Sequence, residues 1–382
     1  MILLSLAALD LLAWLVLGVD WMVGTRRMGV LEAHEVPEPE AYPSLSVVVP
    51  ARNEERTVEA GVRSLLAQDY PMLQLIVVND RSTDRTGAVL ERLAAEYPAL
   101  TVVHVRELPD GWLGKNHALY LGAKRAVGEW LLFTDADVQY APGALRATVA
   151  YALSRRLDHL AALPRFVSRG VLLTSFVTAF ALLFSVAVRP WAAGNPRSPA
   201  HIGIGAFGLL RRSVYRAIGT HRAIALRPDD DVKLGKLVKT RGYRQAAVFA
   251  PRLLSVEWYE SLPRAIRGLN KNAFAGFGYS LPVALVLVAA LVVTNVLPFV
   301  LVFVTSGPAR WLSALVLLVV SSIYAVNARF SGTSPLFALL HPVASLLLAY
   351  AALEATFKTL WRGGIDWRGT FYPLRELRKA KV

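Results

Sequence analysis

The chain has 382 residues, 54% of them hydrophobic and only 18% charged, with a formal net charge of +14. A soluble globular protein carries about 25% charged residues, so the deficit points to membrane segments beside an ordinary domain. The absence of cysteine excludes disulfides, thiolate metal sites and cysteine nucleophiles. With no zinc-finger spacing or RNA-binding motif, the basic excess reads as a lipid-facing surface and not as a nucleic-acid partner.

Ile2 to Val23 is apolar apart from Ser5, Asp10 and Asp20, long enough to cross a hydrocarbon core of ~30 Å at ~1.5 Å per residue. A cleaved signal peptide would show a basic start and a small-residue cleavage site, so residues 1–25 read as a transmembrane anchor. Asp10 would cost about 2.5–3.5 kcal/mol at mid-span and is expected to face another helix or lie off-centre. Arg26 and Arg27 place the following domain in the cytoplasm.

The next segment alternates between two kinds of pattern. Leu45–Pro50, Leu75–Asn79, Thr101–Val105 and Trp130–Thr134 are short runs rich in Val, Ile and Leu, as in strands buried on both faces of a parallel sheet. Val58–Leu66, Arg85–Tyr97 and Asn116–Val127 have helical spacing between them, with Asp84 placed to cap the second. Such alternation predicts an open α/β sheet with its ligand site at the carboxyl ends of the strands. Val171–Val188 is uncharged and just long enough to span. Because the chemistry described next draws on residues from both sides of it, an interfacial or re-entrant helix is expected.

Beyond residue 280, Leu281–Val304, Trp311–Val326 and Leu336–Phe357 are candidate spans within a helical region at 281–357. The basic tail 358–382, with Arg362, Arg368, Arg375, Arg378, Lys379 and Lys381, is expected in the cytoplasm. Three full crossings would put it outside, so either one segment is re-entrant or the charge rule fails.

Polar motifs fall at the strand ends. The first strand ends in Pro50-Ala51-Arg52-Asn53-Glu54-Glu55, the second in Asn79-Asp80-Arg81-Ser82-Thr83-Asp84, and the fourth in Asp135-Ala136-Asp137. No G-x-G-x-x-G follows the first strand, which argues against a dinucleotide cofactor. Two carboxylates one residue apart suit magnesium or manganese, which take oxygen ligands and leave positions open for phosphate. An Asx-turn is the alternative for so short a pattern. Asp229-Asp230-Asp231 is a second acidic run, readable as a solvated loop at a helix start or as a carboxylate whose pKa its neighbours raise.

Taken together, SVVVPARNEE, VVNDRSTDRT, GKNHALYLGAKRAVGEWLLFTDADV, HIGIGAFGLLRR, RPDDDVKLGKLVKTRGYR and RAIRGLNKNAFAGFGYS resemble the family 2 inverting glycosyltransferases of GT-A fold. The resemblance covers about residues 44 to 280 in order. Through GLNKNAFAGFGYS it extends to the membrane-bound subgroup associated with carotenoid and hopanoid glycosylation. It implies an α/β, nucleotide-sugar-binding open sheet at 41–280 with flanking transmembrane helices, in a multi-pass protein of the cell membrane. A nucleotide-diphosphate sugar, UDP-linked, would be the donor and a membrane lipid the acceptor.

Residue by residue, the resemblance implies that Pro50, Asn53, Glu54, Asp80, Lys115 and Asp135 bind the donor nucleotide. Glu54 would take the ribose and Asp80 the uracil edge. Asp135 and Asp137 would hold the metal, while Gly203, Gly205, Ala206 and Phe207 would wall the sugar and acceptor pocket. Asp231 would be the catalytic base, with Asp230 as the alternate because the run of three leaves the register open by one. Arg264 and Arg267 stand where related synthases carry Gln-x-x-Arg-Trp, and Arg267 would stabilise the departing diphosphate. Replacement of the Trp by Gly268 argues against a processive polysaccharide synthase; lipid-headgroup contact is the other reading of the two arginines. His117 and His201 are read as structural or incidental. A polyprenyl-phosphate sugar synthase and a non-catalytic nucleotide-binding transport component are the alternative functions.

Overall fold

The computed structural model describes residues 1–33 and 36–380; Lys381 of the basic tail lies outside them. The chain opens with α1 (Ile2–Met28) and β1 (Leu45–Ala51), followed by α2 (Val58–Leu66), β2 (Leu73–Asp80) and α3 (Thr86–Glu96). Next come β3 (Leu100–Val105), α4 (Gly114–Arg125), β4 (Trp130–Phe133), β5 (Val138–Tyr140) and α5 (Ala144–Ser154). β6 (His159–Leu163), β7 (Arg165–Phe166), α6 (Val171–Val188), β8 (Gly208–Arg211) and α7 (Arg212–Ala217) follow. α8 (Asp230–Thr240), β9 (Gln245–Phe249) and β10 (Leu254–Val256) lead into α9 (Leu262–Leu269) and α10 (Ala273–Gly276). The last helices are α11 (Leu281–Asn295), α12 (Leu297–Val304), α13 (Pro308–Ser331) and α14 (His341–Arg362). A hairpin of β11 (Gly364–Trp367) and β12 (Thr370–Pro373) and the short α15 (Leu374–Lys379) close the described chain.

Two compact units form, neither of them continuous in sequence. Residues 28–165 and 190–257, with the chain from Lys379 on, make an α/β unit; residues 1–27, 166–189 and 258–378 make a helical unit. The sequence places 258–280 and the helix at 171–188 within one domain at 41–280, whereas both belong to the helical unit.

The α/β unit is built on a seven-stranded sheet of order β3-β2-β1-β4-β8-β6-β9. β3, β2, β1 and β4 run parallel, and β8 is antiparallel to both β4 and β6. Val47, Val48, Ile76 and Val78 of the central strands are wholly buried, as expected of strands covered on both faces. Ala118 and Leu119 of α4 and Leu234 and Val238 of α8 join Leu131, Phe133 and Tyr215 in that core. The four strands and the helices between them stand within one or two residues of their expected bounds, but Asp84 acts differently. It does not occupy the cap position of α3; its carboxylate accepts from the Thr86 N–H at 2.9 Å and the Glu55 N–H at 3.2 Å, tying the first two loops together. Reversal of direction after β4 leaves the carboxyl ends of β1, β2 and β4 open as a crevice.

In the helical unit, four helices among the described residues are long and apolar enough to cross a membrane: Ile2–Met28, Val171–Ala192, Pro308–Ser331 and Pro335–Arg362. Expected as a single span, Leu281–Val304 is instead broken between α11 and α12 by a 42° bend. Pro298 stands in the first turn of α12, where it leaves the preceding turn without a donor. Along α1, Ala7, Asp10, Trp14 and Trp21 are buried at near-heptad spacing. Asp10 is thus turned onto the unit's interior, one of its two expected placements. The Trp14 indole donates to the Thr294 carbonyl and the Trp21 indole to Ser185 Oγ, both at 2.8 Å.

Candidate active site

β4 ends at Phe133 and delivers Asp135 to the crevice. Lys115, in the first turn of α4, reaches across and pairs with Asp135 Oδ1 at 2.7 Å; Asp230 Oδ2 is 3.8 Å from the same nitrogen. Burial works against the ammonium charge, but Asp135, Asp230 and Asp231 outweigh it and hold the Lys115 pKa above its usual value. Asp137 is pushed above the carboxylate range, first by burial and then by the charges of Asp135 and Glu54.

The acidic run divides into two parts. Asp229 is clamped by Arg227 through two hydrogen bonds of 2.8 Å and by Lys233 at 3.4 Å, which makes it a structural anchor. Asp230 and Asp231 open α8 and line the pocket with Lys115, Asp135 and Gly205. Asp231 accepts from its neighbour Val232 N–H at 2.8 Å through Oδ1 and from Gly205 N–H at 2.7 Å through Oδ2. Burial raises its pKa even though Lys115 and these two bonds favour the charged form.

The loop 202–207 needs glycine for proximity. A side chain at Gly203 would run into the Asp231 carbonyl, and a Cβ at Gly205 would lie 2.8 Å from Asp135 Oδ2 and 3.4 Å from Asp231 Oδ2. Gly205 therefore bridges the two acidic segments, accepting from Asp135 N–H at 3.1 Å while donating to Asp231. Ala206 and Phe207 depart from expectation. Ala206 gives its carbonyl to Thr134 Oγ1 at 2.7 Å, and the Phe207 ring is wholly buried toward Tyr140, so neither lines the pocket.

The other donor-binding candidates sit at the ends of β1 and β2. Pro50 pairs in register with Val78. Asn53, at φ 53°, donates its N–H to Ser82 Oγ at 3.0 Å and accepts from Thr83 N–H at 2.8 Å. The Glu54 carboxylate accepts from Thr57 Oγ1 at 3.2 Å. Asp80 is buried under Arg81, whose guanidinium gives it two hydrogen bonds of 2.7 and 3.1 Å. Arg264 and Arg267 belong to the helical unit, on α9, where Arg264 pairs with Glu260.

Three residues of this region carry no chemistry in the sequence reading. His159 and His221 line the pocket in wholly buried positions. Burial drives their pKa values down to about 4 and about 3, aided at His221 by the Lys115 charge, so both rings are neutral at pH 7. Nothing in their local sequence marks them, because a strand and a short helical turn distant in sequence bring them in. Asn116 braces the approach to the acidic run, its Nδ2 donating to the carbonyls of Ile224 and Arg227 at 2.9 Å. Its place beside Lys115 was the only available signal.

No group of three His, Cys, Asp or Glu side chains among the described residues is arranged to hold a metal. Asp135 and Asp137 still fit magnesium or manganese, which bind through one or two carboxylates and complete their shell with water and phosphate oxygens. Burial first, and then the charges of Asp135 and Glu54, disfavour a bare carboxylate at Asp137, which a cation there would offset.

Residues 46–219 match the family described as glycosyl transferase family 2. The chain is 26% identical over 345 residues to 4,4'-diaponeurosporenoate glycosyltransferase of Staphylococcus aureus, covering 87% of this chain and 89% of that protein. In fold it is similar to a mannosyltransferase from Pyrobaculum calidifontis solved with GDP-Man and Mn2+. That TM-score is 0.52 at 21% identity, over 94% of this chain and 99% of the other. Residues 46–219 thus carry a family 2 glycosyltransferase domain on a sheet similar in fold to GT-A enzymes, and the chain resembles the carotenoid-associated glycosyltransferases over most of its length.

Proposed function

We propose that the enzyme moves a sugar from a nucleotide-diphosphate sugar, UDP-linked, to a membrane lipid acceptor with inversion at the anomeric carbon. The relative from Staphylococcus aureus, named for a carotenoid carboxylate, supports a long apolar acceptor ending in a carboxyl or hydroxyl group. One observation carries the reading. Lys115, Asp135, Gly205, Asp230 and Asp231 converge on one pocket, and Asp231 is held there by backbone donors with its pKa raised.

Asp135 and Asp137 would hold a magnesium or manganese ion, which when bound offsets charge on the diphosphate leaving group. Asp231 takes the acceptor proton, a task suited to a carboxylate shifted toward neutral pH. The acceptor oxygen then bonds to the anomeric carbon as the bond from that carbon to the diphosphate oxygen breaks. Lys115 lies beside Asp135 and supplies a positive charge toward the leaving group. Gly203 and Gly205 let backbone approach the sugar closely.

Asp231→Asn tests the base. Transfer to a hydroxyl acceptor should fall by about 10²- to 10⁴-fold, while the rise in melting temperature given by UDP with manganese persists. Transfer at the wild-type rate would remove Asp231 from the role. Transfer independent of Asp231 to a phosphate acceptor would instead favour the polyprenyl-phosphate synthase.

A further inference from the structure

The ammonium of Lys115 sits against the carboxylates read as metal ligands. It pairs with Asp135 Oδ1 at 2.7 Å and lies 3.8 Å from Asp230 Oδ2, and its charge reaches Asp231 and Asp137 as well. Asp135 Oδ2 faces Gly205. A Cβ on that glycine would lie 2.8 Å from this oxygen, 3.2 Å from Lys115 Nζ and 3.4 Å from Asp231 Oδ2. One cation and two carboxylates thus crowd around a single backbone position, which only glycine permits.

A divalent cation held by Asp135 and Asp137 would need the carboxylate that the ammonium already takes. Two cations on one carboxylate repel each other. The Lys115 side chain is only 21% exposed, so water and salt screen that repulsion weakly. A nucleoside diphosphate changes the balance, because its phosphate oxygens offer the ammonium another anionic partner. Metal and diphosphate are then linked through the lysine, each strengthening the other by the same factor.

We propose that Lys115 is a latch on the metal carboxylates, holding Asp135 against a divalent cation until a diphosphate draws the ammonium away. This rests on the metal and donor readings of the site and adds the coupling between them. The test titrates manganese into the full-length protein in detergent, with and without saturating UDP, and reads affinity from the shift in melting temperature. In the wild type, manganese alone should bind weakly and UDP should strengthen it. Lys115→Met should bind manganese alone about tenfold more tightly, while its affinity with UDP present stays near the wild-type value. The strengthening by UDP should therefore shrink about tenfold. Lys115→Gln keeps a hydrogen-bond donor for Asp135 and should behave alike, which guards against a fold defect in the first variant. Lys233→Met removes a positive charge that pairs with Asp229 instead, and should leave manganese affinity unchanged. Manganese binding no tighter in Lys115→Met and Lys115→Gln than in the wild type, or an equal gain in Lys233→Met, overturns the latch and spares the metal site. If manganese stabilises the wild type neither alone nor with UDP, the metal reading fails. If UDP adds nothing to the effect of manganese, the donor reading fails, and the inference falls with either.

Discussion

At the scale of single residues, the pocket is governed by how few counter-charges serve many carboxylates. Lys115 answers Asp135, Asp230 and Asp231, and Arg227 answers Asp229. The buried histidines contribute in the opposite way, by staying uncharged. His159 has a folded pKa of about 4 against an ordinary value of 6.5, so below pH 6.5 the unfolded chain takes a proton that the folded one refuses. Its contribution is fully present above pH 6.5 and is lost as pH falls toward 4, by at most about 1.4 kcal/mol per pH unit. Melting temperature should therefore decline between pH 6.5 and 4.5 less steeply in His159→Gln than in the wild type, and parallel profiles would refute this. What the sequence could and could not disclose follows from the same residues. Asp135, Asp231 and Lys115 were legible because they lie in local motifs at element ends. The division of the run 229–231 was not, since it depends on Arg227 claiming Asp229. Phe207 was read as a pocket wall because a loop sequence does not say which face packs inward.

Among elements, strands were the most legible, because runs such as Leu45–Ala51 are apolar at every position but Ser46 and too short for a helix. The break in Leu281–Val304 was not, since Thr294, Asn295 and Pro298 interrupt the apolar run too briefly to end it. A polar network sits beside that break. Asn295 Nδ2 donates to Leu291 O and Thr294 Oγ1, so its Oδ1 must accept from His341 Nε2–H at 2.9 Å. His341 Nδ1 then accepts from the Tyr324 hydroxyl at 3.0 Å. One imidazole thus ties α11, α13 and α14 together with directional bonds in an apolar setting, where side-chain hydrogen bonds are worth about 1 kcal/mol each. His341→Leu should lower the melting temperature in detergent by a few degrees, and Tyr324→Phe by less, since the bond to Asn295 survives. In the double variant the two losses should not add. Strict additivity would show that the network is not coupled.

For the whole molecule, the order of segments constrains how its four helices of membrane-spanning length could meet a bilayer. β6 precedes α6 while β8 and β9 follow it, yet β8 and β9 both pair with β6. A single sheet cannot be divided by a membrane, so both ends of α6 lie on one side despite its length and apolarity. Two bonds constrain the C-terminal helices in the same way. Arg378 donates to the Tyr279 carbonyl at 2.9 Å, just before α11, and Arg227 donates to the Ala380 carbonyl at 3.3 Å. The chain therefore leaves the helices 281–362 on the side where it entered them, which requires an even number of full crossings. Three apolar stretches satisfy this if one turns back. The bent pair α11 and α12 offers such a turn, since its helices of 15 and 8 residues are each too short to cross a core of ~30 Å alone, whereas as one broken span it would cross. The cysteine-free chain makes the arrangement measurable by single-cysteine labelling with an impermeant maleimide. If α11 and α12 turn back and the positive-inside rule at Arg26 and Arg27 sets the orientation, Arg169→Cys, Arg197→Cys, Ser306→Cys and Lys379→Cys should react only after the cells are opened. Ser5→Cys and Ser334→Cys should react on intact cells. Opposite labelling of Arg169→Cys and Arg197→Cys would mean that α6 crosses, and the sheet with Asp135 and Asp231 in one pocket could not then assemble in the membrane.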